Sequence, residues 1–359
     1  MMLSELIRDS AVPEITFRGI SDDSRSTQPG DVFCAVTGDN FDGRRFVDDA
    51  VSKGAVAVLC DPPGMEAVVP VVEVEGLRER LGELASRAYG EPSREIEVIA
   101  VTGTNGKTSF THLLAQALVR LDMKTGLIGT MGHGLPGELI RPGLTTPPAV
   151  DMQQRIRELV DGECCAVVLE ASSHGLVQGR LDGSFVDTAV FTNLTHDHLD
   201  YHESLPSYQD AKSLLFGFGS LSNAVVNLDD DFSGDLISRL SPQLRLVRFS
   251  RKDTAAEVYC RRARCTKEGL GISVSVANEV IEAQLPLYGL FNVENVLAVV
   301  ATLVAMDVSA AEIELALTSL TPVAGRMDVV SRAGAPTLIV DYAHTPDALD
   351  NALSTLRKH

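Results

Sequence analysis

The residues Gly103-Thr104-Asn105-Gly106-Lys107-Thr108-Ser109 follow directly on the apolar run Val98-Ile99-Ala100-Val101. Glycines and small polar residues at a strand-to-helix turn let backbone N–H groups face an anion. The helix that follows adds the positive end of its dipole. Lys107 has the reach to meet β- and γ-phosphates, and the Thr108 hydroxyl suits Mg²⁺. The spacing departs from G-x-x-x-x-G-K-[ST] at its first position, where Val101 stands. A glycine-rich turn with an exposed lysine is the plainer alternative. The strand before, the GKT centre and the helical run after agree with one another, so the segment reads as an ATP site.

A second cluster, Asn193-Leu194-Thr195-His196-Asp197-His198-Leu199-Asp200-Tyr201-His202, places imidazoles and carboxylates close together. HxHxDH is a zinc signature of metallo-β-lactamase-like hydrolases, but here an inserted residue displaces the third histidine. Beside a nucleotide site the same groups could hold Mg²⁺, a hard ion satisfied by oxygen ligands, waters and an occasional histidine. His196 and His202 are expected to be surface-loop residues.

These groups need a scaffold, and the chain is long enough to build one. Its 359 residues suggest two or three domains, with hydrophobic residues at 45% and charged residues at 22%. Lys+Arg 31 against Asp+Glu 49 leaves a net charge of −18, which argues against nucleic acid or anionic lipid as a partner. Local donors can still recognise an anionic small substrate. Cys34, Cys60, Cys164, Cys165, Cys260 and Cys265 form no CxxC pair and read as buried small apolar side chains. No secretory leader is visible in MMLSELIRDS, and the longest nearly apolar run, 296–306, is too short to span a bilayer. A cytoplasmic protein is expected.

Up to about Ser93, apolar runs at 32–36, 55–60 and 69–74 alternate with turns, and Leu77, Leu81, Leu84 and Ala88 recur at helical spacing. This reads as a small mixed α/β module. From Ile96 onward, strand-like runs at 96–101, 166–169, 188–191 and 224–226 alternate with helical stretches, among them one carrying Phe110, Leu113, Leu114, Ala117, Leu118 and Leu121 on one face. Alternation of this kind implies a mostly parallel sheet with helices on both faces. The run 338–341 reads as one more buried strand, entering a helix at Pro346 shortly before the chain stops at His359. The expected division is 1–93, 94–325 and 326–359, the last being the start of a domain cut short.

Taken together, these segments resemble the Mur ligases, ATP-dependent amide-bond ligases of bacterial cell-wall precursor synthesis. The resemblance is carried by Asp23-Ser24-Arg25, Pro29-Gly30-Asp31, DGRRF (42–46), GTNGKTS (103–109), TTP (145–147) and EASSHGLVQGR (170–180). It continues through NLTHDHLDYH (193–202), YQDAK (208–212), LYGLFNVENV (287–296), GRMD (325–328) and DYAHTPDAL (341–349). GTNGKT is shared with folylpolyglutamate synthases. EASSHGLVQGR and DGRRF are more particular to the tripeptide-forming branch.

The resemblance implies a fold of three parts: a UDP-substrate-binding N-terminal α/β domain, a central P-loop ATPase-type domain with a mostly parallel sheet, and the start of a Rossmann-like C-terminal ligase domain. It implies that Gly103 to Ser109 hold ATP, that Thr108, Glu170, His198 and Lys212 hold Mg²⁺, and that Lys212 carries a CO₂-derived carbamate. Asn292 and Asn295 are implied near the adenine, Arg326 at the phosphates and Asp341 at the ribose; Asn292 could instead cap the helix that follows it. Ser24, Asp39, Asn40 and Phe41 are implied at the uridine diphosphate, and Thr145, Thr146, Ser172, Gln178 and Arg180 along the muramoyl-peptide. Lys107, Glu170, His198, Lys212 and Arg326 would carry the chemistry. The implied reaction joins a diamino acid, meso-diaminopimelate or L-lysine, to UDP-MurNAc-L-Ala-D-Glu through an acyl phosphate. A monomer is expected, and the chain alone is expected to turn over little. The alternatives are the pentapeptide-forming branch, a folylpolyglutamate synthase, or a metal-dependent hydrolase built on the histidines.

Overall fold

The computed structural model describes residues 1–38, 41–140, 143–195, 199–202, 204–276, 279–330, 338–343 and 346–357. They form two compact units. The first comprises Met1–Ile96 with Pro147–Gly162 and Val177–Phe185; the second comprises Glu97–Thr146, Glu163–Leu176 and Val186–His359.

In the first unit the strands Gly19–Ser21, Asp31–Ala35, Ala57–Cys60 and Val71–Glu73 lie side by side in that order, all parallel. Their unbroken apolar runs follow from cores on both faces. The two-residue period sends Val32, Cys34, Ala57 and Leu59 into one core with Leu77, Leu81 and Leu84, and Phe33, Ala35, Val58 and Cys60 into another with Val47 and Ala50. Helix Leu77–Ala88 supplies the first of those caps, as its leucine spacing predicts. Helix Ala149–Asp161 packs against it. Gly82 faces the backbone of Asp182 so closely that a Cβ would sit 2.2 Å from the Asp182 carbonyl oxygen. The DGRRF segment forms a 3₁₀ turn, Gly43–Phe46, capped by the Asp42 carboxylate accepting from the Arg44 amide.

In the second unit the described residues form a sheet of ten strands. Its centre runs Arg245–Ser250, Asn223–Asn227, Thr188–Phe191, Glu97–Thr102, Ala166–Glu170, Thr125–Gly129, all parallel. Beyond Arg245–Ser250, strand Val258–Thr266 joins in parallel and continues into the antiparallel strands Gly269–Val276 and Glu279–Leu285. Gly132–Gly134 closes the other edge. Helices Lys107–Arg120 and Phe291–Ala305 share one large core with these strands. Phe291–Ala305 is apolar nearly all round because it is buried nearly all round.

Two expectations change here. The 338–341 run forms only the two-residue strand Ile339–Val340, paired with Asp328–Val329, and Val340 is half exposed rather than buried. Among the cysteines, Cys34, Cys60 and Cys164 are buried, but Cys165 is exposed and Cys260 and Cys265 are intermediate.

In the first unit, Asp22 lies just past the edge strand, with Asp151 near it. Burial, and then the like charge of Asp151, push its carboxyl up to about 6. The folded pKa is therefore above the unfolded one, and the folded state holds a proton across roughly pH 4 to 6 that the unfolded chain has released. The stability this proton contributes is full below about pH 4 and is lost as pH rises through about 6. Asp22→Asn is expected to raise the thermal midpoint at pH 7 and to leave it nearly unchanged at pH 4, as measured by calorimetric unfolding.

Candidate nucleotide and metal site

The register between parallel strands sets the site. Val101 pairs with Glu170, so the turn after Glu97–Thr102 and the carboxylate ending Ala166–Glu170 emerge side by side. The carboxyl ends of a parallel sheet are the usual place for a ligand. The chain leaves the strand through Gly103 and Gly106, both with positive φ, and helix Lys107–Arg120 begins at the lysine. A side chain at 103 would strike Thr192 Oγ1 at 1.9 Å, and one at 106 would meet Asn295 Oδ1 at 2.6 Å. Here glycine is required on two counts, conformation and space.

The turn is fixed from the neighbouring loop. Asn193 Oδ1 accepts from the Asn105 amide at 2.9 Å, Thr192 Oγ1 donates to the Asn105 carbonyl at 2.7 Å, and the Thr195 amide donates to Thr104 Oγ1 at 3.0 Å. Lys107 Nζ lies over the loop, donating to the carbonyls of Gly103 at 2.8 Å and Thr104 at 3.0 Å.

Glu170 is buried and held by three donors. Thr108 Oγ1 and the Thr130 amide each donate to Oε1 at 3.0 Å, and Thr130 Oγ1 donates to Oε2 at 3.0 Å. Gly129 leaves room for this, since a Cβ there would fall 2.4 Å from Oε1. Thr145 Oγ1 lies 3.0 Å from Thr130 Oγ1. Thr146 Oγ1 donates to the Glu170 carbonyl at 2.8 Å and accepts from the Ser172 amide at 2.9 Å, 2.9 Å from Ser172 Oγ. Arg326 Nη2 reaches Thr108 Oγ1 at 3.2 Å, and its guanidinium lies 4.5 Å from the centre of the Tyr342 ring. Burial, and then the Arg326 charge, hold the His112 imidazole down at about 4, so it stays neutral beneath that arginine.

Two cavities meet at Arg326 and Tyr342. One, of about 220 Å³, is lined by Thr104 to Ser109 with Thr130, Thr145, Glu170 and Ser172. The other, of about 160 Å³, is lined by Asn105, Gly106 and Ser109 with Phe291, Asn295 and Asp341. Asp341 is fixed by accepting from the amides of Met327 at 2.8 Å and Ala343 at 2.9 Å. Asn295 lines the second cavity and donates to Asn292 Oδ1 at 2.9 Å. Asn292 is inside the helix rather than capping it, donating to the Tyr288 carbonyl at 2.7 Å.

Lys212 is buried on helix Leu205–Ser213, with Nζ 4.2 Å from the centre of the Tyr208 ring. His202 is not the surface residue expected from sequence. It is buried, with Nε2 2.9 Å from Ser173 Oγ and its ring 5.4 Å from that of His174, because helix Ser173–Val177 packs against it. His196 and His198 lie outside the described residues, as do Asp39 and Asn40. In the first unit, Ser24 is buried and its carbonyl accepts from Lys53 Nζ at 2.7 Å; Phe41 is exposed; Arg180 Nε donates to Gln178 Oε1 at 3.0 Å. Among the described residues no three His, Cys, Asp or Glu side chains gather as a metal cluster.

Sequence reasoning passed over Thr130, Phe291, Glu294 and Tyr208. Thr130 follows a buried strand whose end falls beside Glu170, a position visible only once strand order is known. Glu294 lines the smaller cavity and pairs with Arg251 at 3.0 Å.

Three family models match the chain: "Mur ligase family, catalytic domain" over 16–89, "Mur ligase middle domain" over 101–303 and "Mur ligase, glutamate ligase domain" over 325–359. The chain belongs to the Mur ligase family. It is an ATP-dependent ligase. A UDP-N-acetylmuramoyl-L-alanyl-D-glutamate–2,6-diaminopimelate ligase of Xanthomonas oryzae pv. oryzae is 44% identical over 365 residues, spanning 100% of this chain and 74% of that protein. The ligase of the same name from Pseudomonas putida is 43% identical over 374 residues, with the same coverage. A solved structure of a ligase of that name superposes with a TM-score of 0.85 at 32% identity, covering 100% of this chain and 74% of the other. Among the described residues of this Mur ligase, no helix is long and apolar enough to cross a membrane.

Thr130→Val removes the hydroxyl that steadies Glu170 Oε2 while keeping the amide on Oε1. A hydrogen bond to a charged group contributes about 1.5–3 kcal/mol. Calorimetry with Mg·ADP is expected to show binding weakened about ten-fold in Thr130→Val and near wild type in Thr130→Ser.

Proposed function

We propose that this Mur ligase joins 2,6-diaminopimelate to UDP-MurNAc-L-Ala-D-Glu at the expense of ATP, in the cytoplasm. The observation that carries the reading is the placement of Lys107, Thr108, Glu170 and Arg326 around one cavity at the carboxyl ends of the sheet. The names of the relatives supply the acceptor and the amino acid. We assign 1–93 to the UDP-substrate domain, 94–325 to the ATP-binding domain apart from 147–162 and 177–185, which fold with the first unit, and 326–359 to the beginning of the ligase domain.

The smaller cavity, with Phe291, Asn295 and Asp341, suits adenine and ribose; the larger suits the phosphates, with Lys107 and the first turn of helix Lys107–Arg120 lining it. The Thr108 hydroxyl and Glu170 carboxylate are hard oxygen donors in the larger cavity and fit Mg²⁺, with His198 and Lys212 as the further ligands. Bound there, Mg²⁺ would neutralise charge on the transferring phosphoryl group. Carbamylation would turn the buried Lys212 ammonium into an anionic oxygen donor.

The D-glutamate side-chain carboxylate attacks the γ-phosphorus of ATP, and the bond to the β-phosphate oxygen breaks, giving an acyl phosphate and ADP. Lys107 and Arg326 stabilise the charge that spreads over the phosphoryl oxygens. The neutral amine of the diamino acid then attacks the acyl carbon, phosphate leaves, and the nitrogen loses a proton. Thr145 and Ser172 present hydroxyls in the same cavity as Glu170, where they would orient the reacting carboxylate, and buried Thr146 would hold Ser172 in place. In the first unit, Ser24, Asp39, Asn40 and Phe41 would meet the uridine diphosphate, with Gln178 and Arg180 along the peptide. We infer a monomer without a nucleic-acid or membrane partner.

Titration calorimetry with UDP-MurNAc-L-Ala-D-Glu, UDP-MurNAc-L-Ala and a folate tests the acceptor. Saturable binding of the dipeptide precursor, with the shorter precursor at least ten-fold weaker and no folate binding, is expected. Saturable folate binding without the dipeptide precursor would reverse the assignment.

A further inference from the structure

Tyr208 lies where several parts of the site converge, and nothing in the mechanism above uses it. It is the largest of the fully buried side chains, 1% exposed, and Lys212, one helical turn later, is also 1% exposed. Helix Leu205–Ser213 opens on a Ser204 cap, its Oγ accepting from the Ser207 amide, with proline in the first turn. That start sets the phase that turns Tyr208, Ala211 and Lys212 inward together.

Each part of the ring has its own partner. The phenol oxygen is 3.2 Å from Thr104 Oγ1 in the nucleotide loop. The Lys212 nitrogen lies 4.2 Å from the ring centre, within reach of a cation–π contact. The His202 ring packs against it, 5.0 Å between centres and tilted by 38°, and His202 is in turn 2.9 Å from Ser173 Oγ, just past Glu170. A buried phenol with an apolar body and a polar tip can hold two groups of different chemistry at a fixed spacing. Phenylalanine would keep the ring contacts and lose the loop; leucine would lose both.

We propose that Tyr208 is a positioning residue, coupling the Thr104 hydroxyl of the nucleotide loop to Lys212 through one rigid ring. The inference rests on the reading of 103–109 as the nucleotide loop. It makes the loop and the lysine a single geometric unit: nucleotide affinity depends on the phenol oxygen, and the setting of the lysine depends on the ring.

The test measures two quantities on the same chain: Mg·ADP affinity by calorimetry, and, in CO₂-depleted buffer where Lys212 is a free amine, acylation of Lys212 by an amine-reactive reagent, followed by peptide mass spectrometry. Tyr208→Phe is expected to weaken ADP about five-fold, the effect of one neutral hydrogen bond, with Lys212 labelling as in wild type. Tyr208→Leu is expected to weaken ADP similarly and to speed Lys212 labelling several-fold. Thr104→Val combined with Tyr208→Phe should bind ADP no more weakly than Thr104→Val alone, which keeps the first arm decisive if Tyr208→Leu fails to fold. Unchanged ADP affinity in Tyr208→Phe, or Lys212 labelling that rises equally in Tyr208→Phe, would overturn the proposal. Absence of Mg·ADP binding by the wild-type chain would overturn the nucleotide reading itself, a result distinct from either.

Discussion

The site depends on one feature of strand register. Because Val101 and Glu170 are partners in adjacent parallel strands, the phosphate-type turn and a buried carboxylate leave the sheet at the same level. The Thr108 hydroxyl, two residues into the helix that follows the turn, then meets Glu170 at 3.0 Å without distortion of either strand. A slip of one residue would send the carboxylate to the opposite face of the sheet. Apolar cores on both faces fix the register, so the packing that stabilises the unit also sets the chemistry.

Glu170 and Lys212 are both buried, and a buried charge is expensive unless it is paired or bonded. Glu170 has three donors, two on Oε1 and one on Oε2, which leaves Oε2 a lone pair for a cation. Asn193, Thr192 and Thr195 anchor the 103–106 turn from the side, so its backbone conformation is set before any ligand arrives. Preorganisation of that kind is what electrostatic catalysis of phosphoryl transfer requires.

The parallel strands were legible because they are buried on both faces and read as unbroken apolar runs; 188–191 matches the strand Thr188–Phe191. The strands Val258–Thr266, Gly269–Val276 and Glu279–Leu285 were not: Arg261, Arg262 and Arg264 break up the first, Gly271, Ser273 and Ser275 the second, and Glu279, Glu282 and Gln284 the third. The glycine turn between strand Glu97–Thr102 and helix Lys107–Arg120 was legible from types and spacing alone. Thr130 and Tyr208 were hidden for a different reason: a threonine after a strand and a tyrosine on a short helix are ordinary in sequence. Only strand order and helix phase give them partners. His202 was misjudged on the same ground, since nothing local shows that helix Ser173–Val177 will cover it.

The role proposed for Glu170, presented by this register, is to make the site one for a metal–nucleotide complex. Calorimetry of ADP binding with and without Mg²⁺, on the wild-type chain and on Glu170→Gln, tests it most directly. Magnesium should tighten ADP binding to the wild type at least ten-fold and leave Glu170→Gln, folded as judged by its thermal midpoint, nearly indifferent to the ion. An equal magnesium increment in both proteins would rule out that role for Glu170.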